Sequence, residues 1–142
     1  MTETMAVAGY GTLLLRESDT PGTFELVEEI FNLSGPGEKM DTIEATHMTS
    51  PGARKEYIAS LLDSGEMSFE ANFLPQAAIQ KACKGDLNNR TLKKWRITYA
   101  DESATTYEFD AFVTQWEPGA QVDDKLNVSG TLKITSEIEE IF

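Results

Sequence analysis

Cysteine, histidine and long apolar runs are what this 142-residue chain has least of, and each shortage removes a class of function. The single cysteine, Cys83, has no partner in the chain. An internal disulfide scaffold is excluded, and a reducing compartment is the natural setting. The single histidine, His47, lies beside a turn with no second histidine or cysteine at ligand spacing, so no metal site is expected. Basic residues are also scarce, 12 against 24 acidic ones, for a formal charge of -12. Such a chain repels polyanions, which argues against a DNA-binding surface or attachment to an anionic membrane. No apolar run reaches the roughly 18 residues of a membrane span. Residues 1–11 lack the basic start and apolar body of a signal peptide, so the expectation is a chain made and kept under cytoplasm-like conditions.

What is present is a 40% hydrophobic composition over a length that suits one domain, residues 1–142. A domain of this size withdraws roughly two-thirds of its unfolded surface from water.

The stretch from Ile43 to Ile79 holds the strongest patterning. From Glu66 to Phe73 the alternation is strict, with Met67, Phe69, Ala71 and Phe73 on one face and Glu66, Ser68, Glu70 and Asn72 on the other, as in a half-buried strand. Residues 42–49 are rich in threonine and β-branched side chains and read as a second strand, broken by Ser50-Pro51-Gly52. Residues 50–65 between them read as a loop, far longer than the roughly two to five residues of a tight hairpin. That loop carries Tyr57, Ile58, Leu61 and Leu62, which predicts docking onto something rather than free exposure.

Elsewhere, residues 1–8 read as an N-terminal arm and residues 12–15 as a short apolar strand. Residues 24–33 fit a strand or a helix by periodicity; their shortness and the abrupt stop at Ser34-Gly35-Pro36-Gly37 favour a strand. Pro75 marks the start of a helix over residues 76–84, ended by Gly85, with Ile79, Ala82 and Cys83 along its apolar side and Gln80, Lys81 and Lys84 facing away. That helix should lie outside a sheet, with residues 86–90 forming a loop after it. Residues 92–99 form a strand with Trp95, Ile97 and Tyr99 inward. Residues 105–116 are long for a strand and change phase midway, which predicts a bulge near Ala111 to Val113. Pro118-Gly119 reads as a turn into a last strand in which Leu126, Val128, Leu132 and Ile134 point inward and Gly130 takes an inward position that allows close packing. Residues 136–142 form an acidic tail in which Ile138, Ile141 and Phe142 offer something to dock with. The sum is mainly β: an antiparallel β-sandwich or partial barrel with one short flanking helix and a long inter-strand loop.

Possible chemistry reduces to bland alternatives. Cys83 reads as a small packing residue without a base beside it, and Asp63-Ser64-Gly65-Glu66 as turn chemistry without a histidine or oxyanion site. Gly35-Pro36-Gly37 is no phosphate cradle, since Lys39 is followed by Met40 and Asp41. No catalytic, cofactor-binding or metal residue is expected.

The order and spacing of several short words carry more. Asp41-x-Ile43-Glu44-x-Thr46, Ser50-Pro51-Gly52, Lys55-Glu56-Tyr57-Ile58, Leu62-Asp63-x-Gly65-Glu66-x-Ser68-Phe69 and Asn72-Phe73-x-Pro75 together resemble the major tail tube protein of long-tailed, non-contractile bacteriophages. Gly11-Thr12-Leu13-Leu14 and Gly35-Pro36-Gly37 extend the likeness over nearly the whole chain. Larger members carry an appended immunoglobulin-like domain, and none is expected within residues 1–142.

The resemblance implies a virion subunit assembled in the bacterial cytoplasm from β-sandwiches that join edge to edge into hexameric rings and stack into a tube. Its partners would be further copies of itself and other tail proteins, such as the tape measure, tail terminator and distal tail protein, and DNA would pass through without specific binding. Residues 49–65 resemble the family's arm to a neighbouring subunit, making Arg54, Lys55, Glu56, Tyr57, Ile58, Leu61 and Leu62 the expected contacts. A channel that must not hold DNA should be acidic. The lumen candidates are Glu66, Ser68, Glu70, Asn72 and Glu44, with Glu25, Glu28 or Glu29 from the first long segment. Two other readings stay open: the inner tube of a type VI secretion or related injection system, and a monomeric β-sandwich that binds sugar or protein.

Overall fold

A computed structural model describes residues 3, 4 and 6–141. Among the described residues, ten strands and one α-helix, besides a 3-10 turn at Pro51–Ala53, follow the chain as β1 (Leu13–Glu17), β2 (Phe24–Leu26), β3 (Ile30–Ser34), β4 (Lys39–Glu44), β5 (Tyr57–Asp63), β6 (Glu66–Asn72), α1 (Ala78–Asn89), β7 (Lys93–Thr98), β8 (Thr106–Gly119), β9 (Asn127–Ile134) and β10 (Glu139–Glu140). The main sheet runs β2-β1-β7-β8-β9-β6-β3, antiparallel throughout, with β10 added to β8. It is open rather than closed into a barrel.

The segment at residues 24–33 explains how this sheet curls. Expected as one strand, it is two, broken where Glu29 takes a positive φ of 55°. β2 pairs with β1 at one end of the sheet and β3 pairs with β6 at the other, so three residues, Val27 to Glu29, tie the two ends together. Val27 is buried, and its N–H still donates to the Leu14 carbonyl at 2.9 Å, while the Glu29 carbonyl accepts from the Asn72 N–H at 3.0 Å.

The concave face of the curled sheet holds the core: Leu14, Met67, Phe69, Ala71, Trp95, Ile97, Phe109, Ala111, Val113, Val128, Leu132 and Ile134. The inward sets read from β6, β7 and β9 are those buried, except that Phe73 and Tyr99, just past the ends of β6 and β7, are half-buried against the core and Leu126, ahead of β9, is exposed. The register shift in β8 lies between Val113 and Gln115, one residue beyond the expected bulge, and it turns Trp116 inward toward Phe69, with ring centroids 6.2 Å apart. β8 then continues through Pro118 and Gly119, which pair with Val128 and Asn127 where a turn was expected. Gly130 is needed as glycine: a Cβ there would stand 2.4 Å from the Phe69 ring.

The helix departs further from expectation. It runs through Gly85 to Asn89 and ends where Arg90 adopts a left-handed φ of 56°, the Thr91 N–H closing on the Asp86 carbonyl at 3.0 Å. A glycine inside a helix costs about 1 kcal/mol relative to alanine. Tertiary contact outweighs this, because the extra turn carries Asp86, whose carboxylate accepts two hydrogen bonds from the Arg16 guanidinium at 2.6 and 2.8 Å. Both residues are buried. Gln80, expected outward, is also buried: its side chain accepts from the Leu74 N–H and donates to the Asn72 carbonyl, taking the place of a side-chain cap on the helix entry. The helix thus joins the core cluster through Cys83, Ile79 and Leu87, packed against β8.

The acidic tail docks rather than trailing, with β10 paired to β8 and Ile138 packed on the core. Residues 1, 2, 5 and 142, which fall within the expected N-terminal arm and tail, lie outside the described residues.

Removing one partner of a buried ion pair costs about 3–5 kcal/mol because the other charge is left uncompensated. Asp86→Ala should therefore lower unfolding free energy by about 3 kcal/mol or more, and the double variant Arg16→Met/Asp86→Leu should recover most of that loss. Urea denaturation of the single and double variants measures both.

Candidate assembly surfaces

β4 and β5 form a two-stranded ribbon that pairs with no other strand among the described residues. Residues 50–65, expected as a loop, thus contain a full strand, Tyr57–Asp63. Only residues 45–56 at the tip are without strand structure. The periodicity hid this strand because neither of its faces is buried in the subunit: Tyr57, Ile58, Leu61 and Leu62 are all exposed, the two leucines at 77%. Met40 stands opposite Leu62 and Ile43 opposite Ile58, so the apolar side chains form cross-strand pairs in water. A two-stranded ribbon is marginal by itself.

The ribbon's tip is held by its own polar contacts. Glu56 takes a hydrogen bond from the Ser50 hydroxyl at 2.8 Å and an Nε2 contact from His47 at 3.2 Å, while its N–H donates to Thr46 Oγ1 at 2.9 Å. The His47 N–H in turn donates to Ser50 Oγ at 2.9 Å. Glu56 is therefore engaged within the tip, whereas Arg54, Lys55 and Met48 project into solvent. At the ribbon's base, Asp63 Oδ1 accepts the Gly65 N–H at 3.1 Å and faces Lys133 at 3.5 Å. These contacts, that of Gly65 first, hold the Asp63 carboxyl below its usual pKa. Asp63-Ser64-Gly65 is the turn it was expected to be.

The second surface is the convex face of β3, β6 and β9. Glu66, Ser68 and Glu70 point outward and Asn72 is half-buried. Their cross-strand neighbours on β9 are Lys133, Thr131, Ser129 and Asn127, and on β3 Ser34 and Asn32 flank Ser68 and Glu70. This face is mostly hydroxyls and amides, with Lys133 directly opposite Glu66. The sequence grouped Glu44, Glu25, Glu28 and Glu29 with it, but they do not share it. Glu44 lies on the ribbon opposite Tyr57, Glu25 on β2 at the far end of the sheet, and Glu28 and Glu29 on the β2–β3 turn. Asn72 Nδ2 does reach Glu29 Oε1, at 3.1 Å.

Cys83 is fully buried, and burial pushes its thiol pKa up to about 12, far from what a nucleophile needs at neutral pH.

An apolar ribbon outside the main sheet, a polar outer face and unpaired sheet edges at β2 and β3 are surfaces of the kind that other strands can cover. The family model for the lambda phage tail tube protein, TTP, matches residues 15–141, and the chain belongs to that family. No curated protein matches it by sequence. Among solved structures it is similar to a chain in the tail of an empty gene transfer agent particle refined with C6 symmetry, at a TM-score of 0.83 and 11% identity, covering 96% of this chain and 100% of that one. It is also similar to the SPP1 tail tube (TM-score 0.71, 15% identity, 95% of this chain and 79% of that one). A chain of the sheath–tube complex of an extracellular contractile injection system, PVC, matches too (0.72, 15%, 96% and 93%). At these identities the likeness is one of fold, shared by phage tails and injection systems alike. The family match is what ties this chain to the phage tail tube, a structural component of the virion.

Proposed function

We propose that copies of this chain join into six-membered rings that stack into a tail tube, with β4 and β5 as the arm that holds neighbouring copies together. The observation that carries this reading is the ribbon itself, with Leu61 and Leu62 at 77% exposure and no cover from their own subunit. The C6 symmetry of the gene transfer agent tail supports the six-fold ring. Free edges at β2 and β3, a liability in a monomer, would be satisfied by neighbours, and a head-to-tail contact with a closing rotation gives a ring. The contacts are Arg54, Lys55, Tyr57, Ile58, Leu61 and Leu62, with Glu56 holding the tip in shape. The other tail proteins it meets would be a tape measure, a terminator and a distal tail protein, with assembly in the host cytoplasm. The channel wall is the convex face carrying Glu66, Ser68, Glu70 and Asn72.

Because exposed positions contribute little to folding, typically within about 0.5 kcal/mol, Leu61→Ser/Leu62→Ser should melt like the unaltered monomer yet form no tubes under negative-stain microscopy. Tubes of normal length would remove the arm from the account. A channel wall built of hydroxyls, amides and carboxylates should let DNA slide, whereas lysines would retain it through counterion release. Glu66→Lys/Glu70→Lys should leave rings intact while slowing DNA ejection, and the slowing should fade as salt rises. Ejection unchanged across salt would place these carboxylates on the tube's exterior.

A further inference from the structure

The divergence of β2 and β3 at Glu29 leaves an open cleft of about 850 Å³ between the two ends of the main sheet. Its apolar lining comes from both sides, Leu13, Leu26, Ile97 and Tyr99 from one and Phe31 and Leu33 from the other. Leu13, Leu26 and Phe31 remain 41–49% exposed, with Lys125 Nζ 4.2 Å from the Phe31 ring centroid as the one cation placed against this wall among the described residues, so the subunit fills the cleft only in part. The β2–β3 turn carries two exposed carboxylates, Glu29 in the cleft's lining and Glu28 next to it; Glu29 Oε1 accepts from Asn72 Nδ2, and neither residue meets a lysine or arginine in an ion pair among the described residues.

The ribbon's tip has the opposite character. Met48 is fully exposed at its end. Arg54 and Lys55 are exposed in the same tip segment and also lack a carboxylate partner among the described residues, the adjacent Glu56 being engaged by His47 and Ser50. β4 is six residues long, which carries the tip roughly 20 Å from the ribbon's base. An apolar knob flanked by two cations and an apolar cleft flanked by two carboxylates are complementary in shape and sign. In a chain of charge -12, copies repel one another, so a local patch of opposite charge has strong leverage over which surfaces meet. Knob and cleft are different surfaces of one chain, the condition for a heterologous contact that propagates.

We propose that this cleft receives the arm tip of a second copy, with Met48 entering between Leu26 and Phe31 and with Arg54 and Lys55 meeting Glu28 and Glu29. The proposal rests on the arm reading above and adds the surface that receives the arm. Charge exchange tests it. Arg54→Glu/Lys55→Glu and Glu28→Lys/Glu29→Lys, each made alone, should slow tube formation about tenfold at low salt, measured by light scattering. All four changes in one chain should restore the rate to within about threefold of the unaltered protein. Circular dichroism checks that each variant is folded. Slowing in both single sets without recovery in the combined chain would overturn the cleft as the receiving surface, as would a normal rate in either set. The Leu61→Ser/Leu62→Ser variant separates the two levels: if it still assembles, the arm reading falls, and if it does not assemble while exchange gives no rescue, only the cleft assignment falls.

Discussion

The buried pair of Arg16 and Asp86 is the contact on which the shape of this subunit depends. Arg16 sits on β1, next to one end of the sheet, and Asp86 sits on the helix that packs against β8 in its middle. Their two short hydrogen bonds fasten the helix to β1 as well as to β8, on the face of the sheet that holds the core. The hydrogen bond to Asp86 outweighs the effect of burial and raises the guanidinium's pKa above its ordinary value. A buried ion pair adds little net stability compared with apolar packing. Its value here is geometric, since only one placement of α1 satisfies both charges, and that placement keeps the helix intact past Gly85.

With the core closed in this way, the groups left over point outward. β2 and β3 keep one free edge each, the ribbon keeps its apolar side chains in water, and the cleft between the sheet's ends stays open. In a monomer these features invite aggregation. In the assembly proposed above they are where the next copy would attach, which would leave the free subunit folded but incomplete.

Much of this was legible in the residues. Alternation placed the inward faces of β6, β7 and β9 because each has one face in the core and one in solvent, the condition under which a period of two is visible. Gly130 announced a close approach, and the phase change in β8 announced its bulge. Three features were not legible, each for a physical reason. β5 has no buried face in the subunit, so its pattern reads as a loop. The break at Glu29 comes from a non-glycine residue with positive φ, which composition does not signal. The helix end was masked because Gly85 is a usual stop signal, and only the long-range contact between Asp86 and Arg16 shows why it is overridden. Alternation put Glu66, Ser68, Glu70 and Asn72 on one face of β6, and they share that face in the structure. Glu44 was misgrouped because its strand belongs to the separate ribbon.

The central claim is that the ribbon of β4 and β5 gains its cover from another copy. Amide hydrogen exchange followed by mass spectrometry, on the free subunit and on assembled tubes, tests it most directly, because exchange reports local opening. Peptides spanning residues 57–63 should exchange quickly in the free subunit and slow by about tenfold or more on assembly, while those spanning β9 in the core should change little. Equal exchange of residues 57–63 in the two states would contradict the claim.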